Sequence, residues 1–211
     1  MGTTGDRGFT MRFTLAILTV ILLHTWYLDP LLPRTHAGPL PIVIVAALGV
    51  WHSARTGEWG LAGRAFRPGL RATAVITLPA IALIFLAGAW RGSIHDRRDF
   101  VGNLAWLVVW GGAQQWILQT VVLYESQRAT TRRAGIVIAA SLFAAVHLPN
   151  PPLTALTLAG GLAWCTIYDR HPNLVPLALS HALSTLAILY AFDDSITGRL
   201  RIGYGYLLLD R

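Results

Sequence analysis

Residues 103–124 read NLAWLVVWGGAQQWILQTVVLY, twenty-two positions without an acidic or basic side chain. As a helix this run would be about 33 Å long, enough for a hydrocarbon core of about 30 Å. Irregular backbone exposed to lipid cannot satisfy its N–H and C=O groups, so such a run predicts a membrane helix. It also carries Gln114, Gln115 and Gln119, three amides at a depth where polar groups are costly without partners.

The same pattern extends to both sides. Apolar runs at 12–28, 38–52 and 71–90 precede it, and runs at 134–148, 153–168 and 173–192 follow. The predicted fold is all-α, a polytopic membrane bundle of seven or eight transmembrane helices. Its predicted parts are N-terminal transmembrane helices over 1–102, core helices with the polar site over 103–192, and a C-terminal tail over 193–211. Arg12 before an apolar run and Thr35-His36-Ala37 after it imitate a secretory signal peptide, but six further spans favour an uncleaved first helix. Asn150-Pro151-Pro152 and His171-Pro172-Asn173 mark breaks, because proline lacks the N–H and disfavours helix at the residue before it. Gly160-Gly161 lies within a span, where small residues let helices approach closely.

Composition agrees. Hydrophobic residues make up 54% and charged residues 13%, against about 25% charged in soluble domains. The mean hydropathy is +0.52. The net charge of +7 is carried by arginine alone among the basic residues. These arginines cluster between the apolar runs, as Arg64, Arg67 and Arg71 do, and Arg128, Arg132 and Arg133. They read as membrane-flanking topology signals, and with no nucleic-acid-binding module in the sequence, nucleic acid is not an expected partner. Placing Arg7, Arg12, Arg55, Arg64, Arg67, Arg71, Arg128, Arg132, Arg133 and Arg170 inside puts the N-terminus in the cytoplasm. The expected location is the bacterial cytoplasmic membrane. Cys165, the one cysteine, reads as a small buried packing residue.

Three polar groups fall inside the spans. Gln115 and Gln119 are four apart and share a helix face, while Gln114 points about 100° from Gln115. Such amides serve either as interhelical glue or as site residues. Phe143 and His147 share a second face. His181 and Thr185 share a third, with Ser184 beside them. Two imidazoles on different helices suit proton transfer or oxyanion stabilisation. His24, His36, His52, His95 and His171 sit in loops or near span ends and read as interfacial.

In this order and spacing the three groups resemble the CPBP family (CAAX-protease and bacteriocin-processing) of intramembrane glutamic proteases. The family pattern is Glu-Glu-x-x-x-Arg, then Phe-x-x-x-His, then His-x-x-x-Asn/Asp. Here Gln114, Gln115 and Gln119 stand where Glu, Glu and Arg are expected. Phe143, His147 and His181 match, and Thr185 stands at the Asn/Asp position. The connecting sequence is also similar, through His147-Leu148-Pro149-Asn150, Gly160-Gly161, Tyr168 and Asn173-Leu174-Val175-Pro176. The likeness covers roughly 103–191. The resemblance implies an endopeptidase in which a glutamate and a histidine activate water, and the second histidine and the asparagine stabilise the oxyanion. The second glutamate is held by the arginine one turn later.

The departures change that chemistry. A neutral amide at Gln114 has no useful proton affinity near pH 7, and general-base catalysis is worth about 10²–10⁴-fold. Replacing one member of a buried Glu–Arg pair would leave an uncompensated charge, at roughly 3–5 kcal/mol. With Gln115 and Gln119 both ends become neutral, which points to an adapted site. Gln114, Gln115, Gln119, His147 and His181 are the expected catalytic residues, lining one polar cavity with Phe143 and Thr185 as substrate-binding neighbours. The expected function is a Glu-less endopeptidase acting on membrane-associated or prenylated peptides, with His147 or His181 as base. The alternatives are a non-proteolytic homologue that binds a lipid or hydrophobic peptide, and an enzyme of isoprenoid lipids. The bilayer and such a hydrophobic or prenylated substrate are the expected partners. No cofactor and no metal are expected, since two histidines fall short of the three protein ligands usual for zinc.

Overall fold

The computed structural model describes residues 11–31 and 39–209. Arg7, Arg34, His36, Arg211 and the Thr35-His36-Ala37 stretch lie outside the described residues. The described residues are helical throughout, without strands, and Leu61 and Asn173 form an isolated β-bridge.

Helix α1 spans Arg12–Leu23 and continues through a π-helical turn, His24–Leu28. Helix α2 spans Pro39–Thr56 and α3 spans Phe66–Arg91, which Gly92 ends in the left-handed conformation at φ 65°. Helix α4, Phe100–Ile117, runs on through a π-helical segment, Leu118–Leu123, into α5, Tyr124–Ala129. Then come α6 (Arg132–Ala145), α7 (Pro151–Arg170) and α8 (Leu174–Ala191). Two short helices close the chain, α9 (Asp194–Thr197) and α10 (Tyr204–Leu207).

Each apolar run of the sequence therefore falls on a helix, and the caps follow from local chemistry. Thr131, Asn173 and Asp193 accept backbone N–H bonds at the starts of α6, α8 and α9. Asn150 accepts from Leu153 N at 3.1 Å. The two prolines after it occupy the first turn of α7, where a missing N–H costs nothing. They thus begin α7, while α6 has already ended at Ala145. Two helical stretches, Gly63–Arg91 and Leu174–Ala191, are long and apolar enough to cross a membrane. Val75, Leu78, Leu83 and Leu86 of α3 are each at least 65% exposed, an apolar face suited to lipid.

The chain divides into two compact units. The first comprises residues up to Trp59, Ile117–Leu162 and Leu200 onward. In it α6 and α7 approach closely at Gly161, where an added Cβ would lie 3.2 Å from Ala140 Cα. That is the use expected of a mid-span glycine. The second comprises Gly60–Trp116 and Ala163–Arg199. Here α3 and α8 pack along their lengths, so closely that a Cβ at Gly88 would meet Ala191 O at 2.5 Å. Leu107 of α4 joins Ala182 and Leu186 of α8 in an apolar core. Arg97 fastens the end of this unit, donating through Nε to Leu189 O and pairing with Asp194, both at 2.7 Å.

Candidate active site

In the first unit, His147 lies just past the end of α6. Its N–H reaches back to Ala144 O at 2.9 Å, and its carbonyl accepts from Asn150 N at 3.2 Å. The side chain is 7% exposed. Its Nδ1 lies 2.6 Å from the carbonyl oxygen of Phe143, one turn earlier. A carbonyl can only accept, so Nδ1 carries the hydrogen, and in the neutral ring Nε2 presents the lone pair. The Phe143 ring meets the imidazole edge-on, at 4.9 Å and 71°. Phe143 thus holds His147 twice, through its backbone and through its ring. Gln119, within the π-helical segment, is buried in this same unit.

In the second unit, Gln115 is fully buried on α4, and Gln114 beside it is half-buried. The Gln115 amide nitrogen lies 3.3 Å from His181 Nδ1. Trp164 of α7 stacks on the His181 ring, with centroids 4.6 Å apart and planes 19° from parallel. Its indole N–H donates to Ser180 Oγ at 2.9 Å, and Ser180 Oγ lies 2.6 Å from Thr77 Oγ1 of α3. Close approach is possible because residue 111 is glycine: a Cβ there would lie 3.2 Å from His181 Cγ. Thr185, one turn beyond His181 on α8, is half-buried.

Gln119, Phe143 and His147 therefore belong to the first unit, and Gln114, Gln115, His181 and Thr185 to the second. Among the described residues no group of three or more His, Cys, Asp or Glu side chains could hold a metal ion.

Residues 97–187 match the family model described as type II CAAX prenyl endopeptidase Rce1-like. Over these residues the chain is similar to the Rce1-like family. All seven expected site residues lie inside the Rce1-like segment. The family is one of integral membrane proteins, in keeping with the two long apolar helices. The chain is accordingly CAAX-endopeptidase-like in kind, with the likeness covering 97–187. No curated protein and no solved structure matches the chain.

The structure adds a polar cluster that sequence reasoning did not single out. Glu125, 2% exposed on α5, accepts from Thr14 N at 2.8 Å and from Thr14 Oγ1 at 2.7 Å. His52 of α2 places Nε2 3.9 Å from Glu125 Oε1. At 3% exposed, His52 is buried and not interfacial as its place near a span end suggests. Phe13 and Tyr124 close on its ring edge-on, at 5.2 and 5.3 Å. Arg12, Arg55 and Arg128 each lie within three residues of these contacts, so they share one end of the first unit. The available signal was Glu125 itself, an acid one residue past the uncharged run and inside the Rce1-like segment.

Proposed function

We propose that this protein is a CAAX-type endopeptidase with a Glu-less site, acting on membrane-associated or prenylated peptides, with His147 as the proton acceptor. The observation that carries the reading is the 2.6 Å contact between His147 Nδ1 and the Phe143 carbonyl. It fixes the neutral tautomer with the Nε2 lone pair available for a proton, which a general base requires. Gln114 and Gln115, standing where the family has carboxylates, cannot take that role. Hydrolysis then needs no carboxylate: His147 takes a proton from water as the hydroxide oxygen bonds to the scissile carbonyl carbon. His147 then returns the proton to the departing amine as the C–N bond breaks.

The test is cleavage of prenylated and unprenylated peptides by purified full-length protein in detergent. The expected result is cleavage by wild type that falls by about 10²–10⁴-fold in His147→Ala. Cleavage by the triple variant Gln114→Glu, Gln115→Glu, Gln119→Arg alone would overturn it. The protein would then be a non-proteolytic homologue, and the buried neutral amide at Gln115 would favour the reading that it binds a lipid or hydrophobic peptide.

A further inference from the structure

We infer that Gln115 and Trp164, with Ser180 and Thr77 behind them, are positioning residues that hold His181 in the tautomer carrying its hydrogen on Nε2. The geometry starts at the amide. A glutamine nitrogen has hydrogens to donate and no lone pair to accept with, so Nδ1 of His181, 3.3 Å away, must be the acceptor. A neutral imidazole that accepts at Nδ1 carries its one hydrogen at Nε2.

The plane of the ring is fixed separately. Trp164 stacks on it at 4.6 Å, and the indole cannot swing, because its N–H is bound to Ser180 Oγ. Ser180 is in turn bound to Thr77. A hydroxyl can accept from the indole and still donate to, or accept from, a second hydroxyl, so this chain is chemically complete. Ser180 and Trp164 are 5% and 8% exposed, and breaking a hydrogen bond there leaves a buried group unsatisfied. Because Ser180 immediately precedes His181, the contact that orients Trp164 comes from the same helical turn that carries the imidazole. On α4, the missing side chain of Gly111 leaves room for the ring, since a Cβ there would lie 3.2 Å from His181 Cγ.

The consequence lies in the residue type at 115. A carboxylate only accepts, so a glutamate there would draw the hydrogen to Nδ1 and leave a lone pair at Nε2. The amide does the reverse. His181 is thereby a hydrogen-bond donor at Nε2, and His147, held by a carbonyl, is an acceptor at its own Nε2. The two imidazoles are set to opposite polarity by the groups behind them. Within the hydrolytic reading, on which this part rests, a ring that donates at Nε2 suits the stabilisation of developing negative charge and cannot serve as the base. Changing the partner of a catalytic imidazole from acid to amide inverts its tautomer, and at an established triad that inversion costs about 10⁴-fold. Here the amide is the resident group, and the site is matched to it.

The test is ¹⁵N-histidine NMR of the full-length protein in nanodiscs, with the His181 signals identified by their loss in His181→Asn. Wild type is expected to show the hydrogen on Nε2, and Gln115→Glu to move it to Nδ1. Gln115→Leu, which keeps the site apolar and neutral should the glutamate variant fail to fold, is expected to give a mixture of tautomers. Trp164→Phe and Ser180→Ala should both blur the His181 signals, and Ser180→Thr should restore them, which loss of packing alone would not do. A wild-type ring with its hydrogen on Nδ1, or one tautomer unchanged across the Gln115 variants, overturns the inference. This readout does not depend on cleavage. Absence of proteolysis with the expected tautomers would defeat the proposed function and leave the positioning roles standing.

Discussion

Two buried polar clusters, one in each unit, solve the same problem by different means. In the first unit a carboxylate, Glu125, is kept, and the protein surrounds it with donors. Thr14 supplies its backbone N–H and its hydroxyl from the first turn of α1, where the helix end carries partial positive charge. In the second unit the charge is absent, and a fully buried amide meets an imidazole backed by an indole and two hydroxyls. A buried carboxylate is stable where the fold offers N–H groups that nothing else can satisfy. Where the facing group is an imidazole, a neutral amide avoids placing a charge out of water and sets the proton position besides. The same chain can therefore hold a buried acid in one cluster and a neutral amide in another.

The comparison breaks most readily at Glu125. Glu125→Leu would leave Thr14 N and Thr14 Oγ1 buried without an acceptor, at about 1–3 kcal/mol each, so a loss of about 3 kcal/mol is expected. Glu125→Gln keeps an acceptor and should lose less than half of that. Thermal unfolding in detergent measures both; equal losses would show that the carboxylate's charge, not its acceptor role, matters.

A smaller effect tests the neutral cluster. Gly111→Ala gains about 0.5–1 kcal/mol in helix propensity and loses about 1 kcal/mol or more to overpacking against His181. The net change in unfolding temperature should be slight, while the His181 resonances shift. A clear stabilisation with unmoved resonances would show that the ring has room to spare.

The smallest effect lies outside both clusters, at Asp193, which caps α9 from a fully exposed position. The Ser195 hydroxyl at 2.6 Å and the Ile196 N–H hold its carboxyl below the usual range. A lowered folded value means that the cap's contribution is present above the unfolded value and fades as pH falls through the lowered one. Titration of the Asp193 side chain by NMR should therefore find a midpoint below an ordinary aspartate, and Ser195→Ala should raise it.

Much of this was legible along the chain. The uncharged run at 103–124 announced α4 and its continuation, and the spacing of Phe143 and His147 over one turn announced their contact. Asn150-Pro151-Pro152 and His171-Pro172-Asn173 marked breaks between helices. His52 and Glu125 were not legible, because their partners are far along the chain: Thr14, the donor to Glu125, is 111 positions from it. Trp164 gave no signal either: an indole within an apolar run reads as packing until the partner that it stacks on is known.

The sequence by itself determined the helices, the likeness of the 97–187 segment to the Rce1-like family and the presence of neutral amides at 114 and 115. Those follow from local hydropathy and residue type, which need no partner. The tertiary structure alone decided that Glu125 is clamped at the start of α1, and that an amide faces His181 while a backbone carbonyl faces His147. An imidazole's tautomer depends on whether the atom facing Nδ1 accepts or donates. For His147 that atom is the carbonyl oxygen one turn earlier, and for His181 it is an amide on another helix.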